Sequence, residues 1–260
     1  QIEPKVLFAA NGYYYNGKKF DSLEKLNSIL DQLPSVDCVV VTPYTESNPD
    51  ISSVKNGILW DNFIDSNPSP LKFEQLPFQH PLYIMYSSGT TGLPKSIVHG
   101  AGGTLIQHLK ELRLHCNIYP EDTIFYFTTC GWMMWNWLVG ALSSGATILL
   151  FDGFPMYKKD DLLFESVSEE KVTLFGVSAK YIDALNNNRV IPKNNYDLSK
   201  LRTICSTGSP LSKEGFKYIY NNIKKDVHLA SISGGTDIVS CFVLGNLFQS
   251  VHAGEIQNRG

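Results

Sequence analysis

The sequence lacks the charge balance and the cysteine pattern that several classes of protein need. Its 22 lysines and arginines are fewer than its 25 aspartates and glutamates, which gives a formal net charge of −3. No basic excess is therefore available to neutralise a nucleic-acid backbone. The five cysteines are odd in number and form no CxxC or CxxH pair, so neither a disulfide framework nor a zinc finger is expected. We predict buried, reduced thiols, a cytoplasmic location and no nucleic-acid partner.

Long apolar runs are missing as well. The stretch from Thr123 to Phe151 has no charged residue, but glycine, serine, threonine and asparagine interrupt it. Its pattern predicts a strand at 123–127, a helix at 132–142 and a strand at 147–151, rather than a membrane span. The chain opens with Gln-Ile-Glu-Pro, without an initiator methionine or an apolar signal. We therefore expect an internal piece of a longer protein.

What is present is enough apolar material for a core, with 43% hydrophobic and 18% charged residues. Short apolar or β-branched runs alternate with amphipathic segments along the chain. This alternation predicts an α/β fold with a mainly parallel sheet covered by helices on both faces. Four prolines and no periodicity in Ser66 to Pro81 indicate a long connection. We expect it to separate an N-terminal part, 1–80, from a second part, 81–260.

The segment most informative about chemistry is Tyr86-Ser-Ser-Gly-Thr-Thr-Gly-Leu-Pro-Lys95, which follows an apolar strand. Glycines let successive N–H groups face one point, and the hydroxyl groups add donors, so the segment can cradle phosphate oxygens. Lys95 adds a positive charge. The order of residues differs from the GxxxxGK[ST] loop of common nucleotide-binding proteins. From composition alone, an exposed Ser/Gly turn is an equally good interpretation.

The order of these residues resembles the phosphate loop of the adenylate-forming superfamily. The segments 96–115, 127–140 and 254–257 are similar to the acyl-CoA synthetases of that superfamily that act on acetoacetate. The resemblance covers nearly the whole chain and implies the large-domain fold of these enzymes. It assigns 1–80 to the N-terminal subdomain and 81–260 to the nucleotide- and acyl-binding core. The ribose-binding aspartate and the small C-terminal domain of these enzymes are expected outside this chain.

The resemblance implies a two-step acid–thiol ligase. A carboxylate attacks the α-phosphorus of ATP, and coenzyme A then displaces AMP from the acyl-adenylate. ATP, Mg²⁺, coenzyme A and acetoacetate are the small molecules that it implies. Two alternatives stay open. One is a related synthetase for another small acid, and the other is a nucleotide-binding module without catalysis.

Individual site residues follow from the same resemblance. Thr236, Asp237 and Lys95 are expected to be catalytic, with Thr236 on the α-phosphate and Asp237 holding Mg²⁺. Phosphate binding is assigned to Ser87, Ser88, Gly89, Thr90, Thr91, Gly92 and Lys95. Adenine and AMP binding is assigned to Gly208, Ser209, Pro210, Ser231, Ile232, Ser233, Gly234, Gly235 and Thr236. The acyl and coenzyme A pocket is assigned to Trp132, Met134, Ser144 and Gly234.

Several of these residues also have a plain structural interpretation. Thr207 to Pro210 can be an ordinary turn, Asp237 can cap a turn or helix, and Trp132 can be a core residue. His99, near the phosphate loop, can be structural or can face the ligand. Gly234 stands where acetate-specific synthetases carry a tryptophan. We expect its missing side chain to leave room for a four-carbon acid, so that Gly234→Trp would shift use from acetoacetate towards acetate.

Overall fold

The computed structural model describes residues 2–67, 69–87 and 92–260. These form two compact units, Gln1–Gln75 and Leu76–Gly260. The boundary lies five residues before the one expected from sequence. The assignment of the two parts to particular subdomains stays a prediction.

The N-terminal unit contains a small parallel sheet with the strand order β1-β4-β5. An antiparallel hairpin, β2–β3, turns at Asn16 and Gly17, which both have positive φ. The elements of this unit are β1 Val6–Ala10, β2 Gly12–Tyr15, β3 Lys18–Asp21, α1 Leu23–Leu30, β4 Cys38–Thr42, β5 Gly57–Leu59 and α2 Trp60–Phe63. Its core is a group of aliphatic side chains that includes Leu26, Val39 and Val41.

The C-terminal unit begins with an antiparallel pair, β6 Pro81–Ser87 and β7 Lys95–Gly100. It continues with a parallel five-stranded sheet whose order is β12-β11-β10-β8-β9. The strands of this sheet are β8 Thr123–Tyr126, β9 Thr147–Leu149, β10 Leu174–Ser178, β11 Thr203–Thr207 and β12 His228–Ser231. The helices are α3 Ala101–Lys110, α4 Met133–Gly140, α5 Leu162–Glu169, α6 Ala179–Asn187 and α7 Lys213–Tyr218. Three short strands follow β12 or end the chain: β13 Ser233–Gly235, β14 Ser240–Leu244 and β15 Asn258–Arg259.

Successive side chains of each strand point to opposite faces of the sheet. Since these side chains are apolar on both faces of the five-stranded sheet, helices cover both faces. Phe125 packs into one core with residues of α5, α6 and α7. Its neighbours Ile124 and Tyr126 pack into a second core with Trp137 and other residues of α4. Both cores are fully buried at the strands, as an all-parallel sheet requires. The predicted α/β class and parallel sheet are confirmed.

The uncharged stretch 123–151 forms β8, α4, a short 3₁₀ turn and β9, as its pattern predicts. In the parts of the chain that the structure describes, no helix is long and apolar enough to cross a bilayer. The expectation that all five thiols are buried is confirmed for Cys116, Cys205 and Cys241, whereas Cys38 is half-buried. The expectation is wrong for Cys130, which is exposed. It lies in the loop between β8 and α4, where no helix covers it.

Candidate functional site

A cleft of about 640 Å³ opens beside the carboxyl ends of β11 and β12. These strands end at Thr207 and Ser231, and both residues line the cleft. In open parallel sheets, ligands bind outside the carboxyl ends of the strands, because the loops that follow the strands leave a crevice there. The lining residues are Trp132, Met133, Met134, Thr207, Gly208, Ser209, Pro210, Leu211, Ser231, Ile232, Ser233, Gly234, Gly235, Thr236, Cys241, Gly254 and Ile256. Every residue predicted for adenine and AMP binding is among them.

The turn after β11 forms one wall. Gly208 has φ +86°, a backbone conformation that side-chain-bearing residues rarely adopt. The buried Thr207 hydroxyl donates a 2.8 Å hydrogen bond to the Ile232 carbonyl, which ties this turn to the segment that follows β12. Ser209 and Pro210 are exposed. The backbone of this turn therefore faces the cleft in a fixed position.

Trp132 stands across from that turn. A Cβ built on Gly208 would lie 3.9 Å from Cζ2 of the Trp132 indole. The indole is half-buried, and its ring meets Tyr126 edge to face with 6.1 Å between the centroids. Trp132 therefore packs against the core and lines the cleft at the same time, so the two interpretations of this residue are compatible.

The segment after β12 forms the opposite wall as an antiparallel pair, β13–β14, which the sequence did not predict. The pairing is irregular between Ser233 and Gly234. A Cβ on Gly234 would lie 2.0 Å from the Ser240 carbonyl oxygen and 2.7 Å from Cα of Cys241. Gly234 lines the cleft, but its lack of a side chain is required by this close approach. Our expectation for Gly234→Trp is wrong in its mechanism, because an indole would separate the two strands before it filled the cleft.

The turn between β13 and β14 carries Thr236 and Asp237. Thr236 is half-buried and Asp237 is exposed. The Nε2 atom of His99, on β7, lies 2.7 Å from the Thr236 carbonyl oxygen, which requires that nitrogen to carry the proton and donate. His99 is therefore a structural histidine that fastens this turn to β7. Thr236 also lines a second cavity, of about 530 Å³, together with residues of β6.

The predicted phosphate loop joins β6 to β7. Ser87 and Lys95 face each other as the last pair of that antiparallel ladder, and Gly92 has φ +101°. The predicted residues Ser88, Gly89, Thr90 and Thr91 lie outside the described residues. Lys95 is exposed. It is four residues from His99 on the same strand, a spacing of about 13 Å.

The structure buries two of the predicted acyl and coenzyme A pocket residues, Met134 at 2% exposure and Ser144 at 1%. Met134 lines the cleft from the first turn of α4, whereas Ser144 ends the 3₁₀ turn that follows this helix. The structure does not bring Ser144 to the cleft.

A cation at this site would have few protein ligands. No group of three or more His, Cys, Asp or Glu side chains suited to a metal exists among the described residues. Mg²⁺ is commonly held by one or two carboxylates together with substrate phosphates. One exposed carboxylate, Asp237, beside the hydroxyl of Thr236 fits that mode of binding.

Sequence reasoning missed lining residues that come from the end of the chain. Gly254 and Ile256 reach the cleft although no strand or helix carries them. Gln257 holds this segment in place, because its amide donates to the carbonyls of Asn246 at 3.0 Å and Gln249 at 2.8 Å. The only sequence signal was the similarity of Gly254 to Gln257 to a known segment.

The fold and the cleft define an α/β protein with a cleft at the carboxyl ends of two parallel strands. The sequence profile of AMP-binding enzymes matches residues 1–245. The chain belongs to this family of AMP-binding enzymes.

Individual relatives are similar over the whole chain. The acetoacetyl-coenzyme A synthetase of Rhizobium meliloti is 52% identical over 262 residues, which are 100% of this chain and 40% of that protein. A malonamoyl-CoA synthetase of Penicillium aethiopicum is 42% identical over 278 residues, with 99% of this chain and 38% of that protein covered. The solved structure of an acetoacetyl-CoA synthetase from Streptomyces lividans matches with a TM-score of 0.92 at 40% identity, covering 100% of this chain and 40% of that one. The chain thus spans about two fifths of the length of these relatives.

Proposed function

We propose that the protein containing this chain is an ATP-dependent acid–thiol ligase that converts acetoacetate and coenzyme A to acetoacetyl-CoA. In the first step a carboxylate oxygen attacks the α-phosphorus of ATP, and pyrophosphate leaves. In the second step the thiol of coenzyme A displaces AMP. The observation that carries the proposal is the cleft, in which the turn after β11 and the segment after β12 face each other across about 640 Å³. That volume suits a nucleotide or a small acyl group.

The nucleotide is proposed to lie between these two walls. Adenine packs against the backbone of Gly208 to Pro210 and of Ser231 to Gly235, and the α-phosphate meets the hydroxyl of Thr236. The β- and γ-phosphates are bound by the loop that starts at Ser87 and ends at Lys95. The juxtaposition of β7 and the Thr236 turn, through the His99 bond of 2.7 Å, supports this reading.

Catalysis in this proposal is alignment and charge neutralisation, since ATP and the acid are both anions that repel each other. Lys95 provides one positive charge. Asp237 would hold Mg²⁺, which when bound offsets phosphate charge and polarises the α-phosphoryl group. Thr236, held through its carbonyl by His99, donates a hydrogen bond from its hydroxyl group to a phosphate oxygen. No protein nucleophile is required.

The acid is proposed to bind between Trp132 and Gly234, and coenzyme A to approach along Met134. The half-buried indole of Trp132 limits the depth of the pocket. The five cysteines are all free, which fits a reducing compartment such as the cytoplasm.

The related alternative is a synthetase for another small acid. The malonamoyl-CoA synthetase of Penicillium aethiopicum favours this alternative. It is 42% identical over 99% of the chain, but its name specifies an acid other than acetoacetate. Acetoacetate and malonamate are close in size, so the choice between them depends on a polar contact at one end of the acid.

The experiment is acid-dependent exchange of labelled pyrophosphate into ATP by the complete gene product. We expect acetoacetate to support exchange at least tenfold better than acetate or malonamate. Asp237→Asn should lower exchange on the order of a hundredfold, whereas Asp226→Asn, another exposed aspartate, should leave it unchanged. Faster exchange with malonamate would move the assignment to the related synthetase. ATP binding without exchange for any small acid would favour a binding module.

A further inference from the structure

The β13–β14 turn is fastened to the helix that follows β7. The imidazole Nε2 of the buried His108 donates to the Val239 carbonyl at 2.8 Å. The Gln107 amide donates to the Ser240 hydroxyl at 2.9 Å. These residues lie on α3, which continues as a five-residue π-helical segment, Glu111–His115. The turn that carries Thr236 and Asp237 is thus anchored from behind, away from the cleft.

Glu111, whose side chain is fully buried, makes the central hydrogen bonds of this attachment. Its Oε1 atom accepts hydrogen bonds from the Ser240 hydroxyl at 2.5 Å and from the Cys241 amide at 3.1 Å. Its Oε2 atom accepts from the indole Nε1 of Trp137 at 2.8 Å. The two oxygens of one carboxylate therefore bind two different parts of the fold.

Each part leads to one wall of the cleft. Ser240 and Cys241 pair with Gly235 and Gly234 in the β13–β14 ladder, and Cys241 itself lines the cleft. Trp137 belongs to α4, and the first turn of that helix contributes lining residues to the other side. Glu111 therefore joins the two walls by hydrogen bonds of known length.

Stabilisation of the fold does not by itself explain why a buried glutamate occupies position 111. The ion pairs among the described residues do not include Glu111, so only hydrogen-bond donors offset its buried charge. A well-packed apolar side chain commonly costs less free energy than a buried charge. Hydrogen bonds to an ionised carboxylate are short and directional, and this is useful where spacing matters.

We propose that Glu111 is a positioning residue that sets the spacing between the Thr236–Asp237 turn and the Trp132–Met134 segment. The proposal rests on the proposed function, since it assumes that Asp237 holds the Mg²⁺ of bound ATP. Glu111 touches neither nucleotide nor acid and acts through Ser240 and Trp137.

The first test compares ATP affinity with Mg²⁺ and in EDTA, measured by calorimetry on the complete gene product. Glu111→Gln puts an amide NH₂ where a donor now points on one side of the bridge, and it removes the charge that strengthens the hydrogen bonds on the other side. It therefore weakens both sides without changing side-chain size. We expect Mg²⁺ to strengthen ATP binding at least fivefold less in this variant than in the wild type, with affinity in EDTA changed less than twofold. Leu138→Ala is the control, because Leu138 is buried on α4 and contributes to the same core. A purely structural role would make Glu111→Gln behave like this control, with the Mg²⁺ effect unchanged, and would overturn the proposal.

The second test needs no ligand and separates this proposal from the proposed function. In hydrogen exchange, Glu111→Gln should speed amide exchange at least tenfold in both 132–137 and 234–241, with β10 unchanged. Trp137→Phe, which removes a single donor, should affect 132–137 alone and serves if the glutamine variant fails to fold. If both segments of Glu111→Gln exchanged at the wild-type rate, or if exchange rose uniformly throughout the C-terminal unit, the positioning role of Glu111 would be wrong. If the wild type bound no ATP but exchange rose in both segments of the variant, Glu111 would still link the two walls and the proposed function would be wrong.

Discussion

Two neighbouring glycines allow a sharp test of how closely the walls of the cleft are packed. Neither Gly234 nor Gly235 has a positive φ, so alanine is conformationally allowed at both positions. In a strand, alanine is favoured over glycine by roughly 0.5–1 kcal/mol. Any loss on substitution therefore reports the space available to the new methyl group.

At Gly234 that space is absent. The new Cβ would lie 2.0 Å from the Ser240 carbonyl oxygen and 2.7 Å from Cα of Cys241, and both atoms belong to backbone. Overpacking of this kind costs about 1–3 kcal/mol, and separating the strands weakens a ladder hydrogen bond by about 1 kcal/mol more. We expect Gly234→Ala to lower the free energy of unfolding by about 2–3 kcal/mol. At Gly235 the nearest atom is the movable Asp237 carboxylate at 3.2 Å, so Gly235→Ala should cost under about 0.5 kcal/mol.

The assay is urea unfolding of the purified chain followed by tryptophan fluorescence, since three of the four tryptophans lie in the C-terminal unit. Equal losses of stability in the two variants would contradict this expectation, because they would show that something other than the Ser240 contact determines the cost. Full stability of Gly234→Ala would also refute it.

Three further predictions concern other parts of the site. Lys95→Ala should weaken ATP binding about tenfold through loss of a charge-assisted contact, while Lys217→Ala, on α7, should leave calorimetric affinity unchanged. Thr207→Val leaves the Ile232 carbonyl without its 2.8 Å donor, so urea unfolding should show a loss of about 1–3 kcal/mol; a neutral result would contradict that bond. Burial lowers the pKa of His108 below its ordinary 6.5, so the unfolded chain takes up a proton that the folded chain resists. The contribution of neutral His108 to stability is complete above pH 6.5 and is lost as the pH falls through the lowered pKa, by at most about 1.4 kcal/mol per pH unit. His108→Gln should flatten this dependence of the unfolding free energy on pH. An unchanged dependence would exclude His108 as its source.

The parallel sheet and its helices could be predicted from sequence because their apolar patterns are regular. β8, β10 and β11 are short apolar runs, and α6 repeats its apolar residues at helical spacing. The β13–β14 pair could not be predicted in this way. Ser233-Gly234-Gly235 has no alternation and low strand propensity, so its pairing depends on contacts with α3 that the local sequence does not contain.

The cleft was predictable in part. Its turn and strand-end residues were found through resemblance, and the structure gathers them around one cavity. The buried Glu111 was missed, because a glutamate on an amphipathic helix is usually exposed to solvent. A signal existed, since Thr104, His108 and Glu111 recur at helical spacing and are all buried. A polar stripe on the inward face of a helix indicates a partner that also carries polar groups.

The whole proposal depends on nucleotide binding between the turn after β11 and the segment after β12. Photolabelling with 8-azido-ATP, with labelled peptides mapped by mass spectrometry, tests it directly. We expect label in 207–211 or 231–237, and we expect excess ATP to prevent this labelling. Competable label confined to the N-terminal unit, with both of these segments unmodified, would contradict it.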